Sequence, residues 1–149
     1  MIEIGQPAPD LTLPRDGGTL LRLQDYRPSR VVLVTYGADG TPSCTNQLME
    51  FNALAAEFAA KDAVIVGLSK DSVKKHDKFI AKMGITFALA SDTGEVMESL
   101  GAFGPKIFFG KPVVGVLRTT YLIDSEGKFA AIWKVDKVKG HAAEVLAAL

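Results

Sequence analysis

The densest apolar run in the chain is Val31-Val32-Leu33-Val34, extended by Thr35 and Tyr36. It shows no alternation of apolar and polar positions. A β-branched run of this kind reads as a strand covered on both faces, as in the middle of a parallel sheet flanked by helices. After a loop over residues 37–40, Leu48, Phe51, Ala55 and Phe58 recur at three- and four-residue intervals. That spacing makes one face of an amphipathic helix, which the pattern carries over residues 42–59. Thr41 suits the cap of that helix and Pro42 its first position. Residues 63–68 form a second buried strand. A β-α-β unit over residues 31–68 requires a parallel pair with a right-handed crossover.

On the N-terminal side, Leu11 and Leu13 alternate around Thr12, Asp16-Gly17-Gly18 is a turn, and Thr19-Leu20-Leu21 follows it. This predicts a hairpin. Residues 23–26 read as a short helical turn before Pro28. Downstream, Asp71 is expected to cap a helix bearing Val73, Ile80 and Met83, with Gly84 as its stop. Residues 87–89 read as a short strand, and Ser91-Asp92-Thr93 opens a short helix that closes near Gly101. Residues 103–114, interrupted by Gly104, Pro105, Gly110 and Pro112, have loop character and no further assignment. Residues 118–123 and 129–135 pair as a hairpin about the turn at 124–127. Residues 140–149 form a last helix, with Val145, Leu146 and Leu149 facing inward. The order implies one domain over residues 1–149, a mixed α/β sheet with helices on both faces.

Hydrophobic residues make up 48% of the chain, charged residues 23%, and the formal net charge is zero. No basic tract exceeds Lys74-Lys75, so neither nucleic acid nor a membrane surface is an expected partner. No apolar run approaches the ~18 residues of a membrane span. Met1-Ile2-Glu3-Ile4 lacks the basic-then-apolar pattern of a secretory leader, and a cytoplasmic location is expected.

Cys44 is the chain's one cysteine, so no disulfide can form within it. With Thr41 as cap, Cys44 is the third residue of its helix. A free thiol has a pKa of about 8.5 and is mostly protonated at neutral pH. The unpaired N–H groups and dipole of a helix start favour the thiolate, which is the nucleophile. A guanidinium would favour it further. Arg118 opens a strand after the glycine-rich segment, whereas Arg15, Arg22, Arg27 and Arg30 fall in the N-terminal hairpin and loop. Spacing alone does not bring Arg118 to Cys44. His76, among Lys74, Lys75 and Lys78, and His141, opening the last helix, are expected in surface or capping roles. Asp39 is expected in a turn, Tyr36 beside the site and Trp133 in the core. Phe103, Phe108 and Phe109 could form a rim, an interface or a piece of core.

Pro7-Ala8-Pro9-Asp10-Leu11-Thr12-Leu13, Leu23-Gln24-Asp25-Tyr26-Arg27, Thr41-Pro42-Ser43-Cys44-Thr45, the block from Gly115 to Asp124, and Val138-Lys139-Gly140-His141 together resemble a peroxiredoxin. The likeness is to the bacterioferritin comigratory protein, or Q-type, subgroup of the alkyl hydroperoxide reductase/thiol-specific antioxidant family, and it runs nearly end to end. It implies a thioredoxin fold with an N-terminal hairpin extension and a peroxidase that needs no metal or organic cofactor. Cys44 resembles the peroxidatic cysteine, Thr41 the threonine that bonds thiolate and peroxide, and Arg118 the arginine that lowers the thiol pKa and polarises the O–O bond. Three positions depart from the family pattern. Gly37 stands in a proline slot, which is expected to loosen the site or slow its chemistry. Gln47 replaces a frequent glutamate, and Met49 a resolving cysteine. The last implies a one-cysteine cycle on hydrogen peroxide or small organic hydroperoxides, recycled by thioredoxin, glutaredoxin or glutathione. It also implies a monomer or weak homodimer. The alternative is a redox sensor or mixed-disulfide module with little turnover.

Overall fold

The apolar pattern becomes a sheet in a computed structural model that describes residues 2–149; Met1, part of the N-terminal reading, lies outside them. Strands β1 (Thr12–Pro14) and β2 (Leu20–Arg22) pair antiparallel as the expected hairpin. Next comes β3 (Arg30–Thr35), buried from Val31 onward. Helices α1 (Pro42–Ala53) and α2 (Ala55–Ala60) lead to β4 (Ala63–Ser69). Then follow α3 (Val73–Met83), β5 (Ala88–Ser91), α4 (Glu95–Ser99), β6 (Phe103–Phe108), β7 (Lys111–Val116), β8 (Thr119–Ile123), β9 (Phe129–Lys134) and α5 (His141–Ala147).

The central sheet has the order β5-β4-β3-β8-β9. β3, β4 and β5 run parallel, while β8 and β9 are antiparallel. This is the mixed α/β architecture the pattern implied. The period-two geometry of β3 divides the interior in two. Val31 and Leu33 join Leu23, Val66, Met97, Tyr121 and Phe129 on one face. Val32 and Val34 join Cys44, Leu48, Phe51, Phe58 and Val145 on the other. Gly67 in β4 is required by close approach, since a Cβ there would stand 2.6 Å from Leu89 Cδ2 and 3.2 Å from Tyr36 Cε1.

Four expectations need correction. The helix drawn over 42–59 breaks at Leu54, whose φ of −102° and ψ of 6° leave the helical basin. Ser72, not Asp71, caps α3 by accepting from Lys75 N–H at 3.2 Å, because the Asp71 carboxylate is engaged by Ser69, Asp39 and Lys75. The segment 103–114 is not a loop: it is the hairpin β6–β7. Phe109 and Gly110 turn it with φ of 50° and 76°, the pairing of positive values that a two-residue hairpin turn needs. Pro105 and Pro112 are tolerated because a two-stranded ribbon has free edges. The strand drawn over 87–89 is shifted to 88–91, and its open edge is covered by the N-terminal hairpin, with Leu89 N–H donating to Asp16 Oδ1 at 3.0 Å.

Candidate active site

β3 ends beside β8, and this join places the arginine. The Thr35 hydroxyl lies 3.0 Å from the Leu117 carbonyl and accepts from Thr119 N–H at 2.9 Å. Arg118, one residue before β8, is thereby fixed next to the chain leaving β3. That chain turns through Gly37–Gly40 and enters α1 at Pro42.

Thr41 occupies the cap position of α1 with extended backbone, as expected, but its side chain does not cap. Its hydroxyl donates to Ala38 O at 3.0 Å. The first turn of α1 therefore has no side-chain cap from Thr41, and Cys44 is its third residue. The thiol is 4% exposed. Arg118 Nη2 stands 3.7 Å from Cys44 Sγ. The same guanidinium donates to Gln47 Oε1 at 2.8 Å and to Ser43 Oγ at 2.9 Å, and approaches Ser43 O at 3.3 Å. Folding thus gathers Thr41, Cys44 and Arg118, which the sequence places 77 residues apart at the extremes (118 − 41).

Burial pushes the Cys44 thiol up. The Thr41 hydroxyl, the backbone of Ala38, the Arg118 charge and the backbone of Gly37 outweigh it, and the net shift is downward. The Thr41 hydroxyl has one proton, which here points at Ala38 O, so rotation about its C–O bond decides whether the carbonyl or the sulfur receives it. Gly37 stands in the proline slot. Its backbone favours the thiolate, a service that proline, lacking an N–H, cannot give.

Gln47 is 1% exposed and its Nε2 has no partner. Among the described residues no carboxylate pairs with Arg118. The guanidinium charge is thus uncompensated except by the thiolate. A groove of about 430 Å³ opens at the site, lined in part by Gly37, Lys106, Ile107, Leu117 and Arg118. Phe108 and Phe109 are exposed at the tip of β6–β7, at 55% and 90%, so these two are not core. Phe103 packs partly against the interior. Trp133 is only partly buried.

Both histidine expectations are overturned. His141 opens α5 as expected but is buried, its Nε2 2.8 Å from Thr120 Oγ1. His76 is wholly buried, with Asp39 Oδ2 2.7 Å from its Nδ1. Asp39 is itself buried and accepts from Tyr36 OH at 2.6 Å, so it is more than a turn residue. A signal existed: Val73, His76, Ile80 and Met83 are spaced at three and four residues, which puts His76 on the inward stripe of α3.

A buried thiol drawn toward its anion at a helix start, under a guanidinium, on a sheet of this order, defines the class of thioredoxin-fold thiol peroxidases. Comparison with known proteins agrees: the AhpC/TSA family matches residues 4–132. The chain belongs to that family and is a peroxiredoxin of its Bcp, or Q-type, branch, a thiol-dependent peroxidase. It is 43% identical over 149 residues to the putative peroxiredoxin Bcp of Coxiella burnetii, covering 99% of each chain. It is also 43% identical to peroxiredoxin Bcp of Bacillus subtilis, covering 99% of this chain and 95% of the other. Its fold superposes with a TM-score of 0.93 on a cysteine-to-serine mutant of Xylella fastidiosa PrxQ at 35% identity, over 99% and 95% of the two chains. The Xanthomonas campestris bacterioferritin comigratory protein, studied for alkyl peroxide reduction, gives 0.90 at 38% identity over 98% and 96%.

Proposed function

We propose that the chain, working as one domain over residues 1–149, reduces hydrogen peroxide or small organic hydroperoxides at Cys44 in a one-cysteine cycle. The thiolate attacks one peroxide oxygen. An S–O bond forms, the O–O bond breaks, and the departing oxygen takes a proton to leave as water or an alcohol. Arg118 and the Thr41 hydroxyl are the donors that stabilise charge moving onto that oxygen. The sulfenic acid then meets an external thiol, giving a mixed disulfide and water. A second thiol releases Cys44 as a thiol and leaves with the first as a disulfide. Thioredoxin, glutaredoxin or glutathione has the required chemistry.

The observation that carries this reading is the 3.7 Å approach of Arg118 Nη2 to a sulfur already drawn toward its anion. Met49, half-buried against the interior, stands where a resolving thiol would close a disulfide, so the cycle depends on an outside thiol. Such a cycle suits the cytoplasm and a monomer or weak homodimer. The test is peroxide consumption with each reductant, for wild type and Cys44→Ser. Sustained turnover that Cys44→Ser abolishes supports the reading. One equivalent consumed, with no turnover under any thiol, contradicts it.

A further inference from the structure

The reaction at Cys44 does not use the most deeply buried ionisable pair in its neighbourhood, Asp39 and His76. His76 Nε2 lies 3.1 Å from the Ala90 carbonyl, which can only accept, so that nitrogen carries a hydrogen. His76 Nδ1 lies 2.7 Å from Asp39 Oδ2, and one proton occupies that gap. Asp39 Oδ1 takes the Tyr36 hydroxyl proton at 2.6 Å. Both carboxylate oxygens and both ring nitrogens have hydrogen-bond partners, the condition under which ionisable groups are tolerated in an interior. The Asp39 N–H adds a bond to Asp71 Oδ2 at 2.7 Å. Asp71 is held by the Ser69 hydroxyl at 2.7 Å and by Lys75 Nζ at 2.8 Å.

These bonds fasten a very short piece of chain at both ends. Tyr36 N–H donates to Leu68 O at 3.1 Å, continuing the β3–β4 ladder. Asp39 is tied to α3 and to β5 through His76 and to the loop after β4 through Asp71. Between the two fastenings lie only Gly37 and Ala38, the residues whose backbone favours the Cys44 thiolate. Ala38 also supplies the carbonyl that takes the Thr41 hydroxyl. Gly37 has the widest backbone freedom of any residue type. It has no side chain to hold it, and an added Cβ would meet nothing nearer than Cys44 Sγ, at 3.7 Å. Its order has to be imposed from outside.

We infer that the Asp39–His76 pair is the positioning device of the active site. It holds residues 37 and 38 in place beside Cys44. Neither residue touches the reacting atoms. The inference rests on Cys44 being the reacting thiol, and its test reads the sulfur directly rather than through turnover.

Full-length wild type, Asp39→Asn, Asp39→Ala, His76→Leu and the double variant Asp39→Ala/His76→Leu are alkylated with iodoacetamide across pH, and their melting temperatures are measured alongside. Tyr121→Phe serves as the control, because it deletes a buried 2.6 Å bond to Leu100 O away from the site. The expected result is an alkylation midpoint raised by about one pH unit in Asp39→Ala and His76→Leu. The double variant shifts no further than either single one, as groups acting as a unit are non-additive. Tyr121→Phe keeps the wild-type midpoint at whatever stability it retains. Asp39→Asn preserves shape and shifts less than Asp39→Ala, which keeps the test alive where a bolder variant fails to fold. Unmoved midpoints with lowered melting temperatures would overturn the inference and leave the pair a purely structural one. Loss of alkylation in Cys44→Ser is the separate check on the thiol itself.

Discussion

Gln47→Glu tests the electrostatic account of the site with a near-isosteric change. Gln47 Oε1 sits 2.8 Å from Arg118 Nη1, while Cys44 Sγ sits 3.7 Å from Nη2. A carboxylate at position 47 would share one guanidinium with the thiolate, the two anions lying on its neighbouring arms. At an effective dielectric of ~20 and a separation of ~7 Å, their repulsion is about 2.4 kcal/mol, roughly 1.7 pH units on the thiol. Arg118 is partly open to solvent, which trims this toward one unit. The substitution also replaces the unpartnered Nε2 by an oxygen that can accept from Arg118, so folding stability should hold or rise. The assay is iodoacetamide alkylation against pH with a parallel denaturation curve. The expected outcome is an alkylation midpoint raised by about one unit, an up to tenfold smaller thiolate fraction below it, and undiminished stability. An unmoved or lowered midpoint in a well-folded variant would refute the claim that Arg118 serves the thiolate more fully because its neighbour is neutral.

Gly37→Pro removes a backbone donor while Gly37→Ala keeps it, and the alanine Cβ would meet Sγ at an ordinary 3.7 Å. The proline variant should therefore raise the thiol midpoint by about half a unit or more and the alanine variant should leave it unchanged, both read by the same alkylation profile. Because the folded-state thiol pKa is lowered, reduced wild type should gain stability over Cys44→Ser as pH rises from the folded-state midpoint to the usual thiol range. The gain is complete above that range and disappears as pH falls through the folded-state midpoint, which urea denaturation at a series of pH values would show. Phe51, with no exposed surface, packs 5.8 Å from the Phe58 ring and 5.9 Å from that of His141. Phe51→Ala should cost about 3–5 kcal/mol in the same denaturation assay.

The strands were legible where burial on both faces suppressed alternation, as in β3, and α1 was legible where apolar residues kept helical spacing. Its break at Leu54 was not, since leucine is a good helix former and only the tertiary path to β4 ends the helix there. The hairpin β6–β7 was missed because glycine and proline mark loops on average, while here they occupy a turn and the free edges of a ribbon. At the site, helix-start chemistry pointed to Cys44 and to Thr41 only as a cap, a part its side chain does not play; the hydroxyl's part in the chemistry came from the family resemblance. Arg118 needed the family resemblance, because only the pairing of β8 against β3 brings it to the sulfur. The Asp39–His76 pair was concealed by its lysine neighbours: three charges on the outer face of α3 drew attention from the one polar residue on its inner face.

The central claim is that Arg118 stabilises the moving charge of peroxide cleavage in addition to drawing the thiol toward its anion. Stopped-flow oxidation of Cys44 by hydrogen peroxide, in wild type and Arg118→Met at a pH above both thiol midpoints, isolates that part because each sulfur is then fully ionised. The account predicts that the variant remains at least about tenfold slower, the loss expected when a donor to developing charge is removed. Equal rate constants for the two proteins would contradict it.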